Sequence, residues 1–221
     1  MFVLLNCISC HRRDDTTIDT LMRSLNDACI VLPMIRSQLL AKTLLARDED
    51  AQLVWRICFE TERAYRDCLL EPVWRQKVKP ILARDDLRVE SVAYRRGLHG
   101  VPYPNIAHGV WRALIVSVIP GTDRARRNQF EIEMAKLPAY ISSIRNWAIS
   151  PVIESSGARR WSYIWEQDFD DVEGLLGEYR LHPVHWGVID RWYDVEHPDH
   201  IIDGRMLRTV CPSPGSAIQP K

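Results

Sequence analysis

The alternation of apolar and polar positions divides the chain into short strands and amphipathic helices, in an order that occurs twice. In the first half the pattern predicts strands over 2–8, 35–45, 53–59 and 87–94, with helices over 18–32 and 61–81. In the second half it predicts strands over 113–119, 144–149, 161–166 and 206–210, with helices over 123–137 and 172–192. Each half therefore has the β-α-β-β-α-β order of a ferredoxin-like fold.

Matching landmarks support a tandem repeat. Trp55 corresponds to Trp165 and Phe59 to Phe169, both at an offset of 110 residues, and Pro72 corresponds to Pro183 at an offset of 111. Upstream, Leu32-Pro33 corresponds to Leu137-Pro138 at an offset of 105. The landmarks keep the same order in both halves, so we interpret them as a degenerate duplication.

The duplication predicts how the chain is organised. One half alone is an antiparallel sheet with helices on one face, and its other apolar face would be exposed to water. Two such halves bury these faces against each other, which predicts a pseudo-dimeric α+β barrel within one chain. We expect a degenerate half over 1–97, a Gly- and Pro-rich linker over 98–110, a second half over 111–211 and a disordered tail over 212–221. Thr16-Thr17 is the expected N-cap of the first helix, and the charged segment 47–50 the expected turn.

Composition narrows the class of protein and its surroundings. The 221 residues include 29 basic and 29 acidic side chains, so global charge gives no reason to expect nucleic acid as a partner. No apolar run is long enough to span a membrane, and the first residues lack the features of a signal peptide. Six scattered cysteines favour reduced thiols and a cytoplasmic location. Cys7 and Cys10 have dithiol spacing, but three residues apart on a strand they point to opposite faces.

One segment of the second half connects the chain to a known family. The sequence Tyr179-Arg-Leu-His182-Pro-Val-His185, followed by Trp192 and Tyr193, resembles the dimeric α/β-barrel stress-responsive (Dabb) family, which includes olivetolic acid cyclase of plants. The resemblance covers roughly 111–210 and, weakly, 1–97 through the duplication. It implies ferredoxin-like halves that pair into a barrel, with small-molecule pockets between sheet and helices and no cofactor. It also implies that His185 is the acid/base and that Tyr179 lines the pocket.

The candidate catalytic residues are His185, Tyr179 and His182. Histidine suits proton transfer near neutral pH, and residues three apart in a helical segment point to similar sides. The alternative interpretation is that His182 caps the helix break and that His185 is a half-buried structural residue. The cyclase-type proteins carry further strand histidines where this chain has Ala113 and Tyr163, which argues against their particular cyclisation reaction.

The two halves differ at the motif. The first half has Glu71-Pro-Val-Trp74 where the second has His182-Pro-Val-His185. A tryptophan cannot transfer protons, so a single active site would belong to the second half, with the first half as its partner wall.

The aromatic content favours an apolar or aromatic ligand. Eight tryptophans are many for this length, although most are expected in the core. An inward-facing arginine among the strand positions Arg56, Arg112 and Arg145 would need an anion such as a substrate carboxylate, whereas a solvent-facing one would not. We expect the substrate to be bound by Tyr163, Trp165, Trp186, Trp192 and Arg112.

These observations favour a cofactor-independent lyase or cyclase that acts on a small aromatic or polyketide-like carbonyl compound. A cofactor-free monooxygenase of a phenol or quinol and a non-catalytic ligand-binding protein remain alternatives. The histidines at 182, 185, 197 and 200 could instead bind a metal, or the last two could belong to a polar loop. Further homo-oligomerisation of the pseudo-dimer is left open.

Overall fold

The computed structural model describes residues 1–11, 14–44 and 51–218, so the charged segment predicted as a turn at 47–50 lies outside the described residues. The chain forms two compact units. The first comprises residues 1–95 with 152–160, and the second comprises residues 96–151 with the chain from 161 onward.

The first unit has an antiparallel sheet covered by helices. Its strands are β1 (Phe2–Cys10), β2 (Ile35–Lys42), β3 (Leu53–Phe59) and β4 (Leu87–Arg95), in the order β2-β3-β1-β4. Its helices are α1 (Asp15–Ile30), α2 (Glu62–Leu70), a π-helix (Trp74–Val78) and α3 (Lys79–Leu82). Residues 152–156 of a later strand pair with β4 and extend this sheet.

The second unit repeats this architecture. Its strands are β5 (Leu98–Gly100), β6 (Ala107–Val118), β7 (Asn146–Ser156), β8 (Tyr163–Phe169) and β9 (Ile202–Gly215). The sheet order is β7-β8-β6-β9, with β5 paired to β7. Its helical segments are α4 (Arg124–Lys136), α5 (Val172–Gly174), two π-helices (Leu175–Tyr179 and His185–Ile189) and two 3₁₀ turns (Leu137–Ala139 and Asp190–Trp192). The same strand order in both units confirms the α+β ferredoxin-like class.

Helix starts are fixed by side-chain caps. The carboxylate of Asp14 accepts a hydrogen bond from the amide of Thr17 at 2.7 Å and begins α1, so the cap lies just before the predicted Thr16-Thr17 pair. Asp123 begins α4 in the same way, through the amide of Arg126 at 2.9 Å. Such caps satisfy amides that have no partner inside the helix.

Each unit has its own apolar core between sheet and helices. In the first, α1 buries a stripe that includes Ile18, Leu21 and Leu25 against alternate residues of β1. In the second, Phe130 of α4 packs edge-on against Trp192 with ring centroids 5.8 Å apart. The alternation of side chains along each strand therefore decides which residues can reach the layer below the helices.

The structure corrects two predicted boundaries. The segment predicted as a linker (98–110) contains β5 and the start of β6. The segment predicted as a tail continues β9 through Pro212 to Gly215, and Ile218 is fully buried. Prolines are tolerated there because β9 pairs with β6 on one side and ends the strand order.

All six cysteines are buried free thiols. Cys10 lies in the core beneath the helices of the first unit, whereas Cys7, of opposite parity on β1, does not. Among the residues that the structure describes, no helix is long and apolar enough to cross a membrane.

Candidate functional site

His185 begins the π-helix that follows Pro183, and its imidazole faces the layer between helices and sheet. The ring packs edge-on against Tyr179, with centroids 4.9 Å apart, and against Trp186 at 5.6 Å. About a fifth of the side chain (19%) is exposed. The motif spacing thus does bring Tyr179 and His185 into contact, as a helical segment should.

Arg112 of β6 lies on the other side of Tyr179. Its Nη1 donates a hydrogen bond to the Tyr179 hydroxyl at 3.3 Å, and its guanidinium lies 5.1 Å from the centre of the Tyr179 ring. The same Nη1 donates to the side-chain oxygen of Gln167, which is paired opposite Arg112 on β8. Because Arg112 and Gln167 are both buried, β6 and β8 hold this polar group in a fixed place.

Arg112 is a buried cation with neutral neighbours. It takes part in none of the ion pairs among residues 1–11, 14–44 and 51–218. Burying a charge costs free energy unless an opposite charge compensates it. The arrangement is therefore suited to an anion, or to an oxygen that becomes negative during a reaction.

Burial and positive charge keep His185 neutral. They lower the pKa of its imidazole from 6.5 to about 4, mainly through burial and then through Arg112 and two further arginines, Arg208 and Arg180. The carboxylate of Asp190 lies 3.8 Å from Nδ1, beyond hydrogen-bond distance. A neutral imidazole can accept a proton, so the geometry fits a general base.

Several donors in the same layer have no protein partner. Within the described part of the chain, the buried atoms without one include Nδ1 of His185, Nε2 of Gln167, Nε1 of Trp165 and the hydroxyl of Tyr193. Burial raises the pKa of Tyr193, which keeps this phenol protonated. Buried polar atoms usually have partners, so this set is consistent with a polar ligand.

Other predicted site residues form hydrogen bonds beside the core or at the helix break. Tyr163 donates to Glu131 at 2.6 Å, and Trp192 donates to Glu133 at 2.9 Å. The ring Nδ1 of His182 accepts from the amide of Val184 at 3.2 Å, which matches the capping alternative.

Two predicted tryptophans stand at opposite extremes of exposure. Trp186 is 56% exposed, and Trp165 is buried against Trp147 at 5.9 Å. Of the strand arginines, Arg145 precedes β7 and binds Asp170 at 2.7 Å, so its assignment to a strand is wrong.

Sequence reasoning missed Gln167, Tyr193, Asp190 and Arg208. Gln167 carried a weak signal, because it is a polar residue on the face of β8 that otherwise carries Tyr163, Trp165 and Phe169. Tyr193 belongs to the family motif, yet only the fold shows that its hydroxyl is buried. Asp190 comes near His185 because its amide bonds to the His185 carbonyl at the end of the π-helix, a local geometry that the pattern did not predict. Arg208 of β9 acts on the imidazole through the tertiary structure.

The histidines after Trp192 form a loop network. His197 accepts from the amide of Asp199 at 3.0 Å, and the ring of His200 bonds to the carbonyl of Ile202 at 2.8 Å. Asp199 is also 3.3 Å from Arg126. In the described ranges, no group of three or more histidine, cysteine or acidic residues is arranged to hold a metal ion.

Two consecutive ferredoxin-like units define an α+β protein with a duplicated fold. Residues 110–202 match the family model described as the stress responsive A/B barrel domain (Dabb). This match lies in the second half of the chain and confirms the resemblance found in the sequence. No curated protein matches the chain.

Solved structures extend the similarity to both units. An anthrone oxidase-like protein is 9% identical, with a TM-score of 0.67 over 96% of this chain and 90% of that protein. A candidate monooxygenase from Fusobacterium nucleatum is 10% identical, with a TM-score of 0.58 over 99% and 98%. Another from Lactobacillus acidophilus is 12% identical, with a TM-score of 0.50 over 95% and 92%. At these identities the likeness shows the fold alone.

Proposed function

We propose that this small-molecule-binding Dabb protein is a cofactor-independent enzyme of the lyase or cyclase type, with His185 as its general base. The substrate class is a small aromatic or polyketide-like carbonyl compound. The observation that carries the proposal is an imidazole of lowered pKa near a buried arginine that forms no ion pair with any described residue.

The cluster supplies each part of an enolisation. Neutral His185 takes a proton from the carbon next to a carbonyl group, and the electron pair moves onto the carbonyl oxygen. Arg112 and the hydroxyl of Tyr179 stabilise that oxyanion. The enolate then forms a carbon–carbon bond to a second carbonyl, or is itself the product of breaking one. His185 finally returns the proton.

A cofactor-free monooxygenase is the second candidate, favoured by the names of two proteins that share the fold over nearly their whole length. It uses the same first step, because proton removal produces the electron-rich carbanion or phenolate that reacts with oxygen. One oxygen atom then replaces two hydrogens of the substrate as a carbonyl group, and the other leaves as water. A non-catalytic ligand-binding protein is the third candidate, and it predicts binding without turnover.

Proton exchange tests the proposed base without knowledge of the substrate. We expect the purified protein to exchange the α-protons of an aryl methyl ketone such as acetophenone for deuterium in D₂O, as followed by proton NMR. His185→Gln should slow this exchange by about 100-fold or more, since general bases contribute on that scale. His108→Asn is the matched control, because His108 is an exposed residue of β6 with the positive φ (57°) that asparagine tolerates.

The outcomes separate the three candidates. Loss of exchange in His185→Gln at an unchanged melting temperature supports the general base, whereas a large fall in melting temperature favours the structural role of His185. Oxygen uptake with anthrone, measured with an electrode, would favour the monooxygenase. Ligand binding without proton exchange or oxygen uptake would support the non-catalytic ligand-binding protein.

A further inference from the structure

The first unit contains a cavity of about 320 Å³ between its sheet and its helices. This volume is at the lower end of the range for small-molecule sites, roughly 300–1,000 Å³. The floor is formed by strand residues and the roof by the segment from α2 to α3. The lining residues used below are Asn6, Ser91, Ser156, Tyr65, Trp74 and Lys79.

A row of polar side chains crosses the floor of the cavity. Asn6 of β1 is paired opposite Ser91 of β4, which is in turn paired opposite Ser156. The Ser91 hydroxyl donates to the side-chain oxygen of Asn6 at 2.7 Å. Asn6 is only 1% exposed, and its Nδ2 has no partner among the described residues. A buried amide donor therefore lines the cavity and lacks an acceptor.

Flat aromatic rings form part of the roof. Trp74 stacks on Trp55, with centroids 5.9 Å apart and planes inclined by 15°. The Tyr65 hydroxyl donates to Glu154 at 3.1 Å, so Tyr65 offers the cavity its ring rather than its polar end. These surfaces suit a planar apolar body.

A positive charge lies at the opening. Lys79 lines the cavity at the start of α3 and is exposed to solvent. Within the part of the chain that the structure describes, it forms no ion pair. An ammonium group here can attract a carboxylate on a molecule that enters.

Strand register shows that this cavity is more than a weakened copy of the His185 site. The equivalents of Arg112, Gln167, Tyr179 and His185 are Leu4, Ile57, Cys68 and Trp74. Only Cys68 among these has a titratable side chain, and burial raises its pKa to about 12. The polar groups of the cavity instead stand at other positions. Asn6, Ser91 and Lys79 occur where the second unit has Leu114, Arg208 and Asp190.

We propose that this cavity binds a small planar carboxylic acid that carries an oxygen at its far end. The aromatic body lies against Trp74 and Tyr65, the carboxylate pairs with Lys79, and the far oxygen accepts from Nδ2 of Asn6. No histidine is among the described residues that line this site, and its assignment does not depend on the reaction proposed for His185.

Three naphthalene probes and three variants test this assignment. The probes are 6-hydroxy-2-naphthoate, 2-naphthoate and 2-naphthol, with binding measured by isothermal titration calorimetry. Lys79→Met should weaken binding of both acids by about 10-fold and leave 2-naphthol within about twofold. Asn6→Leu should weaken the two hydroxylated probes and leave 2-naphthoate nearly unchanged, and it should fold because leucine is the residue at the equivalent position 114.

The matched control is Lys77→Met. Lys77 is an exposed lysine of the adjacent π-helix that does not line the cavity, so all three affinities should stay unchanged. Equal losses in Lys77→Met and Lys79→Met would reduce the effect to general charge attraction and overturn the proposal. Failure of the wild-type protein to bind any probe at about millimolar concentration would also overturn it. Neither result bears on the proton exchange assigned to His185.

Discussion

Burial and nearby arginines both oppose protonation of the His185 imidazole. Burial removes water from the charged form, and the guanidinium of Arg112 repels it. The same surroundings make the neutral ring the resting form near pH 7. A base of low basicity reacts in this environment because Arg112 also stabilises the anion that it produces.

This environment predicts a pH-dependent stability. The pKa of His185 in the folded protein, about 4, is lower than its ordinary value of 6.5, so the unfolded chain binds the proton more tightly. The contribution of neutral His185 to the free energy of unfolding is complete above pH 6.5 and is lost as pH falls towards 4. We expect a loss on the order of 2 kcal/mol, less than the full shift implies because the ring is partly exposed. Urea unfolding of the wild type and of His185→Asn at pH 7 and pH 4.5 measures it.

In the variant this component of the pH dependence should disappear, whereas His108→Asn should behave like the wild type. An equal pH dependence in all three proteins would contradict the assignment. A proton NMR titration of the His185 ring gives the pKa directly.

The motif led to His185 and Tyr179 because residues close along a helical segment share a face. It could not lead to Asp190, whose position depends on a π-helical turn, or to Arg208, whose position depends on the packing of β9. The sequence also offered His182 as a catalytic candidate after His185, yet the Nδ1 of His182 accepts a hydrogen bond from the amide of Val184. Spacing identifies which residues can meet, and the fold decides which of them do.

At the scale of the element, β9 extends further than its prolines suggested. Beyond it, the Ser216 hydroxyl donates to Asp168 at 2.6 Å, and the amide of Ala217 donates to Asp168 at 3.3 Å. Asn146 donates to Ser216 at 3.0 Å, which connects this segment to β7. The proline- and glycine-containing segment predicted as a disordered tail therefore forms the end of an edge strand, and the residues after it are hydrogen-bonded to Asp168.

Truncation after Cys211 should consequently destabilise the protein. It removes the hydrogen bonds of Ser216 and Ala217 and the burial of Ile218, for an expected loss of more than about 3 kcal/mol in the free energy of unfolding. Ser216→Ala alone should cost about 1–2 kcal/mol. Chemical denaturation of the three proteins makes the comparison. A truncated protein as stable as the wild type would instead support the prediction of a disordered tail.

At the scale of the whole molecule, the six buried cysteines report on whether the chain is folded. Burial raises the pKa of the Cys29 thiol to about 11 and that of Cys68 to about 12. Thiolates are the reactive form, so these groups are protected both by access and by charge state.

We therefore expect slow thiol modification in the native protein. With 5,5′-dithiobis-(2-nitrobenzoate) at pH 8, the folded chain should react many-fold more slowly than the chain in denaturant, where all six cysteines titrate. Fast reaction of two thiols in the folded protein, removed by Cys7→Ser or Cys10→Ser, would revive the dithiol interpretation.

The duplication was accessible from the sequence because bulky core residues keep their spacing. Trp55 and Trp165 occupy the same strand position of their sheets, and Trp74 and His185 each begin a π-helix after a proline. The cavity beneath Trp74 was not accessible, because a space between side chains depends on how α2, α3 and the sheet pack. The expectation that the first half supplies only a wall rested on Trp74 at the position equivalent to His185, which says little about binding.

The repeated strand order also has a consequence for how this protein can change. In an assembly of two identical subunits, every substitution appears twice and must be tolerated at both copies. Here each half is encoded separately, so Asn6 and Lys79 could arise without altering Leu114 and Asp190. One chain can thus acquire a second specificity while retaining the first, and variants of the two halves can be selected independently.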